Sequence, residues 1–186
     1  MITLASKKPG QKVLELGGGD CPNPSSDCNV DIRQGEKVHF VVDFESPNWP
    51  IQSDEWDVVF SQWCLEHISW RCVKQFLAEV IRILKAGGKA IFVVPNTEAQ
   101  LQWVQKNPAG WDGKGIFESA SCVLFGDQDY VANAHKSYFS PVIAHQLFQE
   151  AGFERVVTRA YGERLTDMVV EAVKPTQEVQ GTLVPK

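Results

Sequence analysis

An apolar segment that runs directly into three consecutive glycines is the feature that most constrains the fold of this chain. Residues 13–20 read VLELGGGD, so a predicted strand leads into Gly17, Gly18 and Gly19, between the carboxylates of Glu15 and Asp20. Glycine permits a sharp turn and lets a ligand lie against the main chain without a Cβ in the way. The carboxylates favour a ligand with hydroxyls, an amine or a positive charge, and they disfavour a phosphate.

Short apolar segments along the chain predict an α/β fold built on a mostly parallel sheet. The first five lack strict alternation of apolar and polar residues, which is typical of strands buried on both faces of a parallel sheet. The predicted strands are residues 11–16, 28–32, 38–42, 56–60, 89–94, 155–160 and 167–173. Because only a short turn around residues 162–164 separates the last two, this pair is predicted to be an antiparallel hairpin.

Three helices are predicted between and after these strands. Residues 73–84 carry apolar side chains at helical spacing, and we expect Gly87 and Gly88 to stop this helix. A second helix is expected to start near Thr97, as its N-cap, and to fade at residues 107–110. The third is predicted to begin at Ser140, with proline at the first helical position, and to end at residue 152.

The segment between the first two strands argues against a dinucleotide-binding loop. In such loops a third glycine lies inside a helix whose N-terminus faces the pyrophosphate. Here Pro22 stands at that position, Pro24 follows, and the chain reaches Asp31 too soon for a full helix. The sequence therefore disfavours NAD and FAD, and it favours an adenosine that carries a positive charge and no phosphate.

Carboxylates also follow the next two predicted strands. Ligands of open parallel sheets bind beyond the carboxyl ends of the strands. Asp31 ends the second strand, where it can accept hydrogen bonds from both hydroxyls of a ribose. Asp43 follows the third strand, where it can accept from an adenine amine, with Phe44 near the ring.

Four segments resemble the class I S-adenosylmethionine-dependent methyltransferases, in particular the small group called methyltransferase type 11. They are residues 13–20 (VLELGGGD), 29–32 (NVDI), 56–68 (WDVVFSQWCLEHI) and 84–96 (LKAGGKAIFVVPN), and the closing EAGF at 150–153 also matches. The resemblance implies a Rossmann-like, seven-stranded sheet with an antiparallel C-terminal strand. It departs from the family at Cys21, where a third loop glycine is usual, and in the helix between strands 1 and 2, which is shortened or lost.

The resemblance implies S-adenosyl-L-methionine as the cofactor. Gly17 and Gly19 would lie along its methionine tail, and Asp31 would bind the ribose. Ser61 and Gln62 would lie beside the sulfonium and the amino group. The full set of predicted cofactor-binding residues is Glu15, Gly17, Gly18, Gly19, Asp20, Asp31, Ile32, Asp43, Phe44, Ser61 and Gln62.

Two histidines are the candidates for catalysis. Methyl transfer from a sulfonium needs mainly positioning, and a base is required only where the acceptor must lose a proton. His135 lies in an aromatic-rich segment, residues 108–139, and His67 follows the fourth strand. The alternative for His135 is a loop histidine that bonds to backbone, and the alternative for His67 is a structural residue that supports its loop. His39 is predicted to lie in the core and His145 on a helix surface.

Composition limits the partners and the compartment. The net charge of −5 makes a nucleic-acid partner unlikely, since phosphate binding calls for a basic face. The five cysteines form no Cys-x-x-Cys pair, so no metal site is predicted. No apolar run is long enough to cross a bilayer and no signal peptide is evident, so we expect a cytoplasmic protein without membrane contact.

These observations lead to one prediction with two alternatives. Residues 1–174 are predicted to form a single methyltransferase domain, with 97–139 as a lid or substrate region and 175–186 as a flexible tail. The expected reaction is methyl transfer to an oxygen or nitrogen atom of a small or medium-sized acceptor. The alternatives are a protein of the same fold that binds the cofactor without catalysis, and an NAD-binding oxidoreductase.

Overall fold

A seven-stranded sheet forms the centre of the protein in the computed structural model, which describes residues 7–176. The strands are β1 Val13–Leu16, β2 Cys28–Asp31, β3 Phe40–Val41, β4 Trp56–Gln62, β5 Leu84–Pro95, β6 Glu154–Tyr161 and β7 Asp167–Val173. Their order across the sheet is β3-β2-β1-β4-β5-β7-β6. The first five strands are parallel, and β7 lies antiparallel between β5 and β6. This arrangement confirms the predicted fold class, including the C-terminal hairpin.

Within residues 7–176, four α-helices accompany the sheet, of which three were predicted. They are α1 Val73–Ile83, α2 Thr97–Lys106, α3 Gly115–Phe125 and α4 Pro141–Glu150, and short 3₁₀ helices cover Leu65–His67, Trp111–Gly113 and Val131–Asn133. Helix α3 escaped prediction because its apolar side chains form no single buried stripe. Phe117 is 83% exposed, whereas the buried positions of this helix are Ser119 and Val123.

Four details of the sequence prediction are wrong. Helix α1 ends at Ile83, well before the two glycines, because Leu84 is already extended and pairs with β4. The N-cap of α2 is Asn96, whose side chain accepts from the Ala99 amide, and not Thr97. Strand β3 has two residues and is exposed, since it is the edge of the sheet. For the same reason His39, which precedes β3, is exposed rather than part of the core.

The main hydrophobic core lies between one face of the sheet and helices α1 and α4. A row of aromatic rings joins these layers: Phe92 of β5 contacts Phe76 of α1 and Phe148 of α4, with centroid distances of 6.0 and 5.5 Å. All three side chains are fully buried. The residues of β1 that face this core are Leu14 and Leu16. A smaller cluster around Phe60 occupies the opposite face of the sheet.

No helix lies between β1 and β2, as predicted from the two prolines. Side chains of the strands hold this loop instead. The buried Glu15 carboxylate accepts from the Asn23 amide and the Ser26 hydroxyl, both at 2.7 Å, and Asp27 accepts from the Val13 amide at 2.8 Å. The carboxyl ends of the parallel strands are therefore open where a first helix would otherwise start.

Within residues 7–176, no helix is both long enough and apolar enough to cross a membrane. The predicted tail lies outside the described residues from position 177 onward, and so do residues 1–6 at the start of the chain.

Candidate active site

The three glycines form a tight turn that is bonded to the neighbouring strand. Gly17 has φ +80° and Gly19 has φ +51°. The Gly18 amide donates to the Asn29 side chain at 3.1 Å, and the Gly19 amide donates to Asp31 at 3.0 Å. A Cβ on Gly17 would lie 2.5 Å from the side chain of Cys64, so both conformation and space require glycine at that position.

Asp31 is the buried acid at the end of β2, and it organises this turn. Its residue exposure is 4%. One carboxylate oxygen accepts from the Gly19 amide, and the other accepts from the Arg33 amide at 2.9 Å and from Arg33 Nε at 3.3 Å. A carboxylate offers about four acceptor positions, two on each oxygen, and these bonds use three of them. Oδ2 keeps one position for a ligand hydroxyl, and a second hydroxyl would replace the longer bond from Arg33 Nε to Oδ1.

A cavity of about 270 Å³ opens beside Asp31. Gly17, Ile32, Asp43 and Phe44 also line it, which brings five of the predicted cofactor-binding residues together. Further lining residues are Arg33, Glu45, Trp63, His67, Tyr130 and Lys136. The lining combines three carboxylates with the cations Arg33 and Lys136, so it is less acidic than predicted. We call this space the nucleoside cavity.

Asp43 and Phe44 are partly committed to other contacts. The Asp43 carboxylate accepts from the Glu45 amide and the Ser46 hydroxyl, both at 2.9 Å. The Phe44 ring is buried against Trp49 and Phe76 and also lines the nucleoside cavity. Ile32, which is 46% exposed, is a more accessible apolar side chain of this cavity.

The remaining predicted cofactor residues separate into two groups. Glu15, Gly18 and Gln62 line a neighbouring pocket of about 270 Å³ that shares Gly17 with the nucleoside cavity. Burial raises the pKa of the Glu15 carboxyl. Three others line none of these spaces: Ser61 is buried with its hydroxyl donating to the Leu16 carbonyl, Gly19 faces Asp31, and Asp20 is exposed beside Gly35.

A larger cavity, of about 440 Å³, lies on the other side of Trp63 and His67. Helix α3 and the segments around it contribute Trp111, Lys114 and Val123 to its lining, and the C-terminal hairpin contributes Arg164 and Asp167. Polar and charged side chains of both signs line it. We call it the acceptor cavity, and it lies between the sheet and the segment predicted to be a lid.

Trp63 lies where the spaces meet. It lines the nucleoside cavity, the acceptor cavity and the pocket beside Glu15. Its backbone has φ +51°, which is uncommon for a bulky residue, and its side chain is half exposed. The indole Nε1 donates to Asp167 at 3.3 Å.

Both candidate histidines face the acceptor cavity, and a buried acid that the sequence analysis missed accompanies them. The rings of His67 and His135 are 5.1 Å apart, and Glu66 Oε1 lies 4.0 Å from His67 Nε2. Burial lowers the pKa of His67, which keeps the ring neutral near pH 7. Burial raises the pKa of the Glu66 carboxyl to about 8. Glu66 was hidden from sequence analysis because a glutamate in a turn normally faces solvent.

Comparisons with known proteins agree with this architecture. A family model described as a methyltransferase domain matches residues 23–92. A solved structure from Thermotoga maritima, described as a SAM-dependent methyltransferase and possible histamine N-methyltransferase, superposes with a TM-score of 0.60. The chain therefore shares the fold of these methyltransferases. The identity to the Thermotoga protein is 21%, over 90% of this chain and 84% of that chain.

Two further solved structures with this fold are of proteins whose names specify different methylated atoms. The phosphoethanolamine N-methyltransferase 2 of Haemonchus contortus, solved with S-adenosyl-L-methionine, has a TM-score of 0.61 and 14% identity, over 92% of this chain and 50% of that chain. The CurJ carbon methyltransferase has a TM-score of 0.59 and 16% identity, over 91% and 50%. No curated protein matches the chain in sequence. The methyltransferase fold therefore leaves the acceptor atom open.

Proposed function

We propose that the protein transfers the methyl group of S-adenosyl-L-methionine to an oxygen or nitrogen atom of a small or medium-sized polar acceptor. The observation that carries this proposal is the meeting of two cavities at Trp63 and His67. A nucleoside can occupy one cavity and an acceptor the other, so that the methyl group passes between them. Methyl transfer is an in-line displacement, and it requires this kind of side-by-side arrangement.

In the nucleoside cavity, Asp31 accepts from the ribose hydroxyls and Ile32 packs against the nucleoside. Asp43 and Phe44 border the adenine. The methionine part lies along Gly17 and Gly18 toward Glu15 and Gln62, where the buried carboxylate and the amide can receive the amino group. This orientation directs the sulfonium toward Trp63, because that residue lines every space involved. S-adenosyl-L-methionine supplies the methyl group, and the protein supplies position and a dry environment.

The acceptor cavity suits a polar molecule with an amine or hydroxyl group. Glu66 and Asp167 face it from the sheet side, and Lys114 and Arg164 add positive charge at its walls. Trp111 provides an aromatic surface, with its ring 5.7 Å from that of Trp103. The ring of His67 or of His135 can take a proton from an acceptor that must lose one. The acidic balance of the chain makes duplex nucleic acid the weaker alternative.

Binding without transfer is the second candidate function, and one observation favours it. The Trp63 indole stands between the two cavities and is bonded to Asp167, so it narrows the path that the methyl group must take. For a catalyst, this side chain has to move when the acceptor binds. For a binding protein, it can stay in place.

The test is an assay for S-adenosylhomocysteine release with a panel of small amines and hydroxylated acceptors. We expect turnover with at least one acceptor class, and we expect Trp111→Ala to raise the KM for that acceptor without changing the Kd of S-adenosylhomocysteine. Tight binding of S-adenosylhomocysteine with no turnover over the panel would favour the binding protein. No binding at all would overturn both.

A further inference from the structure

Glu66, His67 and His135 form a three-residue cluster that lines the acceptor cavity, and His67 also lines the nucleoside cavity. One nitrogen or oxygen atom of each lies within 4.8 Å of the corresponding atoms of the other two. Glu66 and His67 come from the 3₁₀ helix after β4, whereas His135 follows the 3₁₀ helix Val131–Asn133 far along the chain. Sequence spacing therefore gives no sign of this cluster.

The hydrogen bonds of the two rings define which nitrogen faces the cluster. His67 Nδ1 lies 3.2 Å from the Ala134 carbonyl, and His135 Nδ1 lies 3.0 Å from the Val123 carbonyl. A carbonyl oxygen only accepts, so each Nδ1 carries the hydrogen and each Nε2 keeps its lone pair. Metal-binding histidines almost always show this pattern, because the second nitrogen donates to a carbonyl or carboxylate and fixes the ring.

The carboxylate of Glu66 supplies an independent observation. The residue is 2% exposed, and its Oε2 has no hydrogen-bond partner among residues 7–176. A buried carboxyl oxygen without a partner costs free energy, and a bound ligand would satisfy it. The oxygen belongs to a side chain that lines the acceptor cavity.

Backbone contacts brace the two halves of the cluster against each other. The Glu66 carbonyl accepts from the Lys136 amide at 2.8 Å and from the Ser137 amide at 3.1 Å. The Ser137 hydroxyl also donates a hydrogen bond to the Ile68 carbonyl. These bonds fix the chain immediately after His135 relative to Glu66 and His67. The cluster is thus positioned before any ligand binds, as a metal site requires.

We propose that Glu66, His67 and His135 bind a divalent first-row transition metal ion, and that zinc is the ion this donor set fits best. Two imidazole nitrogens and one carboxylate are a common donor set of zinc sites that keep an open coordination position. Ligand atoms of a tetrahedral zinc site with bonds of about 2.0–2.1 Å lie about 3.4 Å apart. The 4.0 Å between Glu66 Oε1 and His67 Nε2 therefore closes with a small movement.

The open position would face the acceptor cavity. If the proposed methyl transfer is correct, an acceptor hydroxyl or amine can bind the metal there. Coordination lowers the pKa of such a group and orients it beside Trp63, so that with metal bound neither His67 nor His135 is needed as the base. The metal site itself does not depend on that assignment, since its residues and contacts are the same for either candidate function.

The experiment titrates chelator-treated protein with Co²⁺, whose visible absorption reports coordination by nitrogen and oxygen ligands. We expect one equivalent to bind and one equivalent of Zn²⁺ to displace it. Glu66→Gln and His135→Gln should each weaken Co²⁺ binding by about 100-fold or more, since even changes in the outer shell of a metal site cost 10–100-fold. His145→Gln, on the surface of α4, is the matched control and should bind like the wild type.

Thermal unfolding of each metal-free variant shows whether it is folded before titration. The proposal is overturned if folded wild-type protein gives no visible band, or if folded His135→Gln binds Co²⁺ as tightly as the wild type. Calorimetry with S-adenosylhomocysteine on the same samples separates the two proposals. Nucleoside binding without metal binding contradicts the metal site alone, and metal binding without nucleoside binding contradicts the proposed function alone.

Discussion

Replacement of Asp31 by asparagine should weaken nucleoside binding far more than it weakens the fold. The side chain keeps its shape, but the negative charge is lost and one oxygen becomes an NH₂ group. In the proposed complex the carboxylate accepts from two ribose hydroxyls, and hydrogen bonds to charged groups contribute about 1.5–3 kcal/mol each. Loss of the charge and of one acceptor should cost about 2–4 kcal/mol, which raises the Kd by about 30- to 900-fold.

Isothermal titration calorimetry with S-adenosylhomocysteine measures this effect directly. The matched control is Asp57→Asn, because Asp57 also accepts from a backbone amide and pairs with a cation, Lys85, but lies away from the cavities. Both variants lose comparable local contacts, and only Asp31→Asn should lose affinity. A folded Asp31→Asn protein whose Kd stays within about threefold of the wild-type value would refute the reasoning.

Three further predictions concern the glycine turn, the core and a buried acid. Gly17→Ala should lower the free energy of unfolding in urea by more than about 2 kcal/mol and abolish nucleoside binding. Gly10→Ala is the control, because Gly10 has a similar φ of +83° but open space around it, and it should cost only about 1–2 kcal/mol. Phe92→Ala should cost about 3–5 kcal/mol, and Phe117→Ala, at a site 83% exposed, less than about 0.5 kcal/mol; equal effects would contradict the assigned core. The pKa of Glu15 is raised above its ordinary 4.5, so above that pH the native state binds more protons than the unfolded state. The free energy of unfolding should therefore fall as the pH rises from about 4.5 through the raised pKa. Glu15→Gln should flatten the pH dependence of the free energy of unfolding in urea over this range. An unchanged pH dependence in Glu15→Gln would contradict the assigned role of Glu15.

The elements that depend on local pattern could be predicted from the sequence. The buried strands, the missing helix after β1 and the C-terminal hairpin follow from apolar segments and from Pro22 and Pro24. Errors arose where tertiary contacts decide the local structure. Pairing with β4 draws Leu84 into a strand before the two glycines, and Asn96 rather than its neighbour caps α2.

The candidate site could be predicted in part, for a related reason. Asp31 and Gly17 follow strands directly, so the sheet topology alone places them at one edge. Glu66 and Asp167 could not be identified, because their roles depend on the packing of the segment 97–139 against the sheet. His135 was selected from its polar and aromatic surroundings, but only the fold reveals that it lies beside His67.

A crystal structure of the protein with S-adenosylhomocysteine would test the central claim most directly. The account predicts that both ribose hydroxyls lie within hydrogen-bond distance of the Asp31 carboxylate, and that the sulfur atom points toward Trp63 and His67 at the entrance to the acceptor cavity. A complex in which the nucleoside lies elsewhere, or in which the sulfur faces away from that cavity, would contradict it.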